Sequence, residues 1–173
     1  MKILYLSPEI TPFAKTGGLA DVAQALPKAL KALGHDIRTV MPKYLSLAQQ
    51  NLAMERVTPY PVQMHNGLQG AVLWQTENDA VPTYFIENEA YFNREEFYGL
   101  GDRDYPDNLE RFVFFCKAAL EGCKTIDFSP DVIHCNDWQT AALPGILKAT
   151  YVAYRKDPFF SPVPKLVYTI HNI

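Results

Sequence analysis

The fold is decided by residues 2–42, which read KILYLSPEITPFAKTGGLADVAQALPKALKALGHDIRTVMP. The apolar run from Lys2 to Ser7 predicts a strand, and the prolines and glycines after it predict a loop. Apolar residues then recur at three- and four-residue steps from Leu19 to Leu33, which predicts a helix that ends at Gly34. The run from Asp36 to Met41, followed by a proline, predicts a second strand. Strand, helix and strand in this order predict a right-handed crossover between parallel strands, the opening of a doubly wound sheet.

Downstream of this unit, strands and helices continue to alternate. Three β-rich runs lie at 57–63, 71–75 and 83–86, with the turn signal Asn66-Gly67 between the first two, and they predict a hairpin followed by a return to the sheet. Residues 88–107 show no clear period, which predicts a long loop. Apolar spacing then predicts a helix over 109–123, a strand over 131–135, a helix over 139–148 and a strand over 165–170. The predicted fold class is therefore α/β, with a Rossmann-like, doubly wound and mostly parallel sheet.

The composition excludes several classes of function. The 173 residues are 48% hydrophobic with a formal net charge of -3 and no run of Lys or Arg, so neither nucleic acid nor a membrane surface is an expected partner. The apolar run at the start is too short for a signal peptide, and no later stretch is long enough to span a membrane. Three cysteines without metal-ligand spacing fit reduced thiols in the core of a cytoplasmic protein.

Three loops that follow predicted strands form the candidate site, because ligands of a doubly wound sheet bind outside the carboxyl ends of its strands. The first loop contains Lys15, Gly17 and Gly18, which offer a cation and accessible backbone amides at the start of a helix and would suit a phosphate. The spacing matches neither a dinucleotide fingerprint nor a P-loop, and a glycine turn beside a solvated lysine is the alternative.

The other two loops contain Asp137 with Trp138, and His171 with Asn172. The carboxylate of Asp137 could bind a sugar hydroxyl, or it could cap the helix that follows. Trp138 could stack on a sugar ring or pack beneath a loop, and a lone histidine such as His171 is more often structural than catalytic. From the residues alone, the prediction is a small-ligand cleft.

Six blocks carry a more specific signal than these single residues. They read SPEITPFAKTGGLADV at 7–22, NREEFYG at 93–99, DYPDN at 104–108, ERF at 110–112, HCNDW at 134–138 and TIHNI at 169–173. Together and in this order they closely resemble the blocks of bacterial glycogen synthases and plant starch synthases, over nearly the whole chain. The resemblance implies the amino-terminal domain of a GT-B type two-domain glycosyltransferase, in which two Rossmann-like domains face a deep cleft. It also implies a cytoplasmic protein, or a plastid protein if the chain comes from a plant.

The same resemblance implies a reaction and its partners. Glucose would pass from ADP-glucose to the non-reducing end of an α-1,4-glucan, glycogen or starch, with retention of configuration. No metal and no other cofactor is implied, and the oligomeric state is left open. Carried over residue by residue, Lys15 would bind the nucleotide's phosphates, and Gly17 and Gly18 would let the backbone approach the donor. Asp137 and His171 would line the site of the transferred glucose.

The resemblance also implies how the transfer proceeds. The leaving diphosphate would help to deprotonate the attacking hydroxyl, while His171 stabilises the cationic sugar without a covalent step. Further substrate contacts are assigned to polar and aromatic residues of the same blocks. Hydroxyl contacts are expected from Glu9 and Asp21, and guidance of the glucan from Tyr91 and Tyr98. The remaining two substrate-binding residues are Trp138 and Asn172.

The whole of 1–173 is assigned to the acceptor-side domain, which we expect to be incomplete and to lack the carboxyl-terminal donor-binding domain. Because such enzymes work by closing two domains, we expect the chain alone to be inactive. The alternative function is a non-enzymatic glucan-binding or regulatory module with the same half-fold, although a pure glucan binder would not need the phosphate loop at 15–18. A glycosyltransferase for a different nucleotide sugar is a third hypothesis, which would share the Rossmann elements but not these blocks.

Overall fold

The computed structural model of the protein describes residues 1–50 and 52–172. Within these residues the strands are β1 (Lys2–Leu6), β2 (Asp36–Pro42), β3 (Glu55–Met64), β4 (Gly67–Asn78), β5 (Val81–Glu87), β6 (Gly99–Leu100), β7 (Arg103–Asp104), β8 (Val132–Asn136) and β9 (Lys165–Thr169). The α-helices are α1 (Gly18–Ala32), α2 (Leu45–Ala48), α3 (Glu89–Phe92), α4 (Asn108–Thr125) and α5 (Leu143–Ile146). A π-helix covers Leu147–Tyr154, and short 3-10 helices cover Trp138–Thr140 and Pro158–Phe160. None of the helices in the described residues combines the length and apolar character that a bilayer crossing needs.

Seven strands form one sheet in the spatial order β3-β4-β5-β2-β1-β8-β9. The five strands β5, β2, β1, β8 and β9 pair in parallel with their neighbours in this order. The hairpin of β3 and β4 continues the sheet beyond β5 with antiparallel pairs. The predicted α/β fold with a mostly parallel sheet is therefore confirmed.

The order of the strands creates a topological switch point between β1 and β8. The chain passes from β1 to β2 on one side of β1, whereas it later passes from β5 across to β8 on the other side. Right-handed crossovers in opposite directions place their helices, α1 and α4, on opposite faces of the sheet. Ligands of doubly wound sheets bind at such a point, outside the carboxyl ends of the strands, so the loops after β1 and β8 are expected to border the site.

The opening unit folds as the sequence predicts. Strand β1 pairs in parallel with β2, and α1 lies between them in the chain. Gly34 has a φ of +85°, which glycine adopts without the steric cost that a side chain brings, so the helix ends where expected. A proline inside a helix is expected to kink it or shift its start, but α1 begins at Gly18, where the apolar pattern begins, and runs through Pro27.

The segment 88–107 is more ordered than the predicted long loop. It contains helix α3 and the small hairpin of β6 and β7, and it buries Tyr91 and Phe92. The fully buried Arg111 of α4 binds the end of this segment. Its guanidinium donates to the carbonyl oxygen of Phe97 at 2.8 Å and to Oδ1 of Asn108 at 3.2 Å. Buried aromatic side chains and these hydrogen bonds order the segment, although its sequence has no regular apolar period.

The single helix predicted over 139–148 is wrong in detail. The chain forms a 3-10 turn at Trp138–Thr140, then α5, then the π-helix at Leu147–Tyr154. Pro144 explains the break, because it has no N–H to bond to Thr140 and is tolerated only in the first turn of a helix. It lies in the first turn of α5.

Helix α4 offers a matched test of the core. Leu120 is fully buried, whereas Leu109 on the same helix is 78% exposed. We expect Leu120→Ala to lower the free energy of unfolding by about 2–5 kcal/mol, since it leaves a cavity in a packed core. The control Leu109→Ala should change it by less than about 0.5 kcal/mol. Urea unfolding of both variants measures the difference, and equal losses would contradict this packing of α4.

Candidate active site

The candidate site lies at the carboxyl edge of the parallel strands. Residues 7–17 follow β1, residues 137–140 follow β8 and residues 170–172 follow β9. The segment 88–107 follows β5 at the same edge. Because parallel strands all end at one edge, the fold brings together the loops that the sequence singled out.

Asp137 anchors the loop after β9. Its buried carboxylate accepts hydrogen bonds at Oδ1 from the backbone amides of His171 at 2.8 Å and Asn172 at 3.1 Å, and at Oδ2 from the side-chain amide of Asn172. The carboxylate does not cap the following helix. The N–H of Thr140 instead bonds to the backbone oxygen of Asp137 at 3.1 Å. Direct contact between Asp137 and a sugar stays a prediction, since three N–H groups already occupy this carboxylate.

The backbone of Asp137 is strained. Its φ is 60° and its ψ is 178°, a region that side chains other than glycine rarely adopt and that costs about 1–3 kcal/mol. Such outliers persist where the surrounding structure holds them in place, and they concentrate at functional sites. Here the hydrogen bonds of the carboxylate and that of the Asp137 N–H to Thr169 O, at 2.9 Å, hold the residue in place.

His171 is half-buried and lies next to Asn136, the last residue of β8. Its ring Nε2 lies 3.0 Å from Oδ1 of Asn136, a fully buried side chain. Asp137 holds the backbone of His171, and Asn136 holds its ring. Asn172 is exposed beside them and is held by the same carboxylate. The structure therefore brings three of the predicted site residues, Asp137, His171 and Asn172, into one hydrogen-bonded group.

Glu9 joins two loops of the site rather than standing alone as a hydroxyl contact. Its carboxylate is buried, accepts from Thr16 Oγ1 at 2.6 Å and Thr16 N at 2.5 Å, and accepts from the Tyr98 hydroxyl at 2.6 Å. Burial, together with the neighbouring Tyr44 and Glu9, raises the pKa of the Tyr98 phenol, so the phenol stays protonated and donates. Glu9 thereby ties the loop at 15–18 to the segment 88–107.

Lys15 and Asp21 form an ion pair at the surface. The ammonium Nζ lies 2.7 Å from Oδ1 and 2.8 Å from Oδ2 of Asp21, and both side chains are about half exposed. The hydrogen bond from Lys15 lowers the pKa of the Asp21 carboxyl. Gly17 and Gly18 lie next to this pair, and a side chain at either position would point into open space. The glycines thus leave the start of α1 accessible, without a side-chain cap on its amides.

The aromatic candidates differ in accessibility. Trp138 is 47% exposed, and its ring packs edge to face against Phe112 and Tyr98 with centroid distances of 5.1 and 5.8 Å. Tyr91 is buried, and its hydroxyl donates to Glu110 Oε1 at 2.7 Å. Trp138 therefore offers a face to a ligand, whereas the burial of Tyr91 argues against direct contact with a glucan.

A cavity of about 330 Å³ lies beside Thr16, and apart from Tyr98 it is lined by residues to which sequence reasoning gave no role. It is formed by the hairpin of β6 and β7 and the turn before it, and its charged lining residues are Glu96, Asp102, Arg103 and Asp104. The acidic character of this stretch was visible in the sequence, but its position next to the loop at 15–18 was not. Within the described residues, no group of three or more His, Cys, Asp or Glu side chains is arranged to hold a metal ion.

With the site described, comparison with known proteins identifies the family. Residues 2–173 match the family model described as the starch synthase catalytic domain. The chain belongs to the starch synthase catalytic-domain family. It is 44% identical to glycogen synthase from Syntrophotalea carbinolica and 45% identical to glycogen synthase 2 from Geobacter metallireducens, in each case over 100% of this chain and 35% of the relative. The chain thus spans about a third of the length of the curated relatives it matches.

Solved structures agree with the family assignment. The catalytic domain of starch synthase IV from Arabidopsis thaliana, bound to ADP and acarbose, matches with a TM-score of 0.82 at 29% identity, over 98% of this chain and 34% of that chain. Sucrose-phosphate synthase from Thermosynechococcus elongatus shares the fold, with a TM-score of 0.53 at 14% identity over 99% of this chain and 33% of that chain. The resemblance seen in the sequence blocks is confirmed, as is the assignment to a glycosyltransferase family with the GT-B fold.

The role of Asp137 as an anchor can be tested by hydrogen exchange. We expect Asp137→Ala to speed exchange of the amides of His171 and Asn172 and to lower the free energy of unfolding by at least about 1.5–3 kcal/mol, the contribution of a single hydrogen bond to a charged acceptor, because three such bonds are lost. Asp127→Ala is the control, since Asp127 has a φ of 50° but an exposed side chain. Unchanged exchange at 171 and 172 in a folded Asp137→Ala variant would contradict the anchoring role.

The link between Glu9 and Tyr98 makes a separate prediction. Tyr98→Phe removes one donor from a buried carboxylate and should lower the free energy of unfolding by about 1.5–3 kcal/mol. Tyr154→Phe should have almost no effect, because Tyr154 is 86% exposed. Thermal and urea unfolding of the two variants provide the comparison. A Tyr98→Phe variant as stable as Tyr154→Phe would rule out a structural contribution from this hydrogen bond.

Proposed function

We propose that this chain forms the acceptor-side domain of a glucan synthase that transfers glucose from ADP-glucose to the non-reducing end of an α-1,4-glucan with retention. The observation that carries the proposal is that the Lys15 loop and the Asp137–His171 group follow the neighbouring strands β1 and β8, at the switch point of a starch synthase-family domain. The names of the bacterial relatives and the ligands of the Arabidopsis enzyme, ADP and acarbose, support it.

The loop after β1 is proposed to bind the diphosphate. An ammonium group has three N–H donors, so Lys15 can keep its hydrogen bonds to Asp21 and still donate to a phosphate oxygen. The amides at the start of α1 have no side-chain cap, and the start of a helix favours negative charge. Asp21 acts here by orienting Lys15, rather than by contacting a sugar hydroxyl.

The transfer itself is proposed to need no covalent intermediate. The bond from the anomeric carbon to the diphosphate breaks, the acceptor hydroxyl attacks the same face, and its proton passes to a phosphate oxygen. Lys15 would stabilise the charge left on the diphosphate, and His171 would stabilise the positive charge that develops on the sugar. Asp137 would act by holding the backbone of His171, because its oxygens are already hydrogen-bonded.

The glucan is proposed to lie across Trp138 and the cavity beside Thr16. The exposed face of Trp138 suits stacking on a sugar ring. The carboxylates of Glu96, Asp102 and Asp104 are acceptors only, and sugar hydroxyls are donors to them. Tyr98, half-buried between Glu9 and Trp138, lines the same cavity and would form part of this surface.

Three further statements belong to the same proposal. The reaction is proposed to be independent of metals and other cofactors, as in the family that the sequence blocks resemble. The donor is proposed to be ADP-glucose rather than UDP-glucose, which competition between the two nucleotide sugars would decide. A cytoplasmic location is proposed, or a plastid location if the chain comes from a plant.

Titration of the chain with ADP by calorimetry tests the donor site. We expect Lys15→Ala to weaken ADP binding roughly 10- to 100-fold, because a charge-assisted hydrogen bond contributes about 1.5–3 kcal/mol. Lys28→Ala is the matched control, since Lys28 is an exposed lysine paired with Asp79. Equal ADP affinity in all three folded proteins would contradict the role given to Lys15.

A parallel titration with maltoheptaose, followed by tryptophan fluorescence, tests the acceptor site. The saturable signal should disappear in Trp138→Phe and persist in Trp74→Phe, because only Trp138 lies at the candidate site. Binding of maltoheptaose without any binding of ADP would instead favour the non-enzymatic glucan-binding module.

A further inference from the structure

A buried line of polar side chains supports the ring of His171 from inside the sheet. Tyr5 in β1 and Asn136 in β8 are both fully buried. Oδ1 of Asn136 lies 3.1 Å from the Tyr5 hydroxyl and 3.0 Å from Nε2 of His171, and Nδ2 of Asn136 lies 2.8 Å from the backbone oxygen of Leu6. Strand β1, strand β8 and the loop after β9 therefore meet at the side-chain amide of Asn136.

This geometry fixes which way the amide of Asn136 points. The backbone oxygen of Leu6 can only accept, so the NH₂ group must face it and the amide oxygen must face Tyr5 and His171. Burial raises the pKa of the Tyr5 phenol, so the phenol remains protonated and donates to that oxygen. The amide oxygen is thus an acceptor for both neighbours.

The proton on His171 follows from the orientation of Asn136. Because Oδ1 of Asn136 can only accept, Nε2 of His171 must carry a hydrogen. Within the described residues, this is the only side-chain hydrogen bond of the His171 ring. A neutral imidazole with hydrogen on Nε2 has an acceptor at Nδ1.

We propose that Asn136, supported by Tyr5, is a positioning residue that fixes His171 as the Nε2–H tautomer and leaves Nδ1 as an acceptor for the ligand. The hydrogen bonds alone determine the tautomer of His171. The role of Nδ1 toward a sugar rests on the proposed function. Two adjacent residues at the end of β8 act on the same histidine, because Asn136 holds its ring and Asp137 holds its backbone.

The register of β8 and β9 makes this arrangement possible. Asn136 pairs with Thr169, so the residues just beyond both strand ends lie next to each other. His134, two residues earlier in β8, bonds through Nε2 to Thr169 Oγ1 at 2.8 Å, and its ring packs on Tyr5 with a centroid distance of 4.8 Å. Burial lowers the pKa of His134, with a smaller contribution from His171. His134 does not contact Asn136 through a hydrogen bond, which makes it an internal reference.

Nitrogen-15 NMR of the imidazole side chains, recorded without ligand, tests the inference. In the unaltered chain, His171 should show a pyrrole-type Nε2 and a pyridine-type Nδ1, the pattern of one tautomer. In Asn136→Ala, the two nitrogen signals of His171 should move toward each other as the tautomers exchange, while those of His134 stay in place. His171→Gln identifies the signals, and Tyr5→Phe should produce a smaller shift in the same direction.

Several results would overturn the inference. A hydrogen on Nδ1, or averaged tautomers in the unaltered chain, would do so even if Asn136→Ala failed to fold. A single Nε2–H pattern that persists in a folded Asn136→Ala variant would do so as well, because free imidazole already prefers that tautomer. Failure of the proposed function would look different, with the His171 pattern as expected but no binding of ADP-glucose to the unaltered chain.

Discussion

The candidate site depends on one buried carboxylate, that of Asp137. Its backbone lies in a region that glycine adopts freely and other residues do not, at a cost of about 1–3 kcal/mol. Glycine at this position would avoid the strain but would have no carboxylate to hold the amides of His171 and Asn172. Each hydrogen bond to a charged acceptor contributes about 1.5–3 kcal/mol, so the contacts of this side chain can offset the strain. The result is a loop after β9 that is held from the neighbouring strand.

Glu9, in the loop after β1, is a second buried carboxylate that holds two parts of the chain together. Both carboxylates are buried, and in the described chain neither forms an ion pair; backbone amides and hydroxyl or amide side chains satisfy them instead. Hydrogen bonds from fixed N–H and O–H groups are directional, so each carboxylate fixes the positions of its donors. Glu9 fixes Thr16 relative to Tyr98, and Asp137 fixes His171 relative to β8. The two loops that would meet the donor and the acceptor are thus held before any ligand arrives, which lowers the ordering cost of binding.

Sequence patterns located the loops of the candidate site better than the contacts within it. The loops with Lys15, Asp137 and His171 were identified because they follow strands, and the blocks around them indicated the family. The partners of Asp21, Glu9 and Tyr91 were not predictable, because each contacts a residue that no local pattern connects to it. Lys15 pairs with Asp21 across the start of α1, Glu9 meets Tyr98 from a segment 89 residues away, and Tyr91 turns into the core toward Glu110.

What the sequence determined by itself was the set of local units: the first strand–helix–strand, the hairpin, the long helix α4 and the strands that became β8 and β9. Apolar periodicity and turn residues specify these units because they act over a few neighbouring positions. The tertiary structure alone decided the strand order, and with it the switch point between β1 and β8. It also decided that Tyr5, Asn136 and His171 form one hydrogen-bonded line. Hydrogen bonds between residues that lie far apart in the chain leave no local periodicity, so they become visible only when the sheet has brought the strands together.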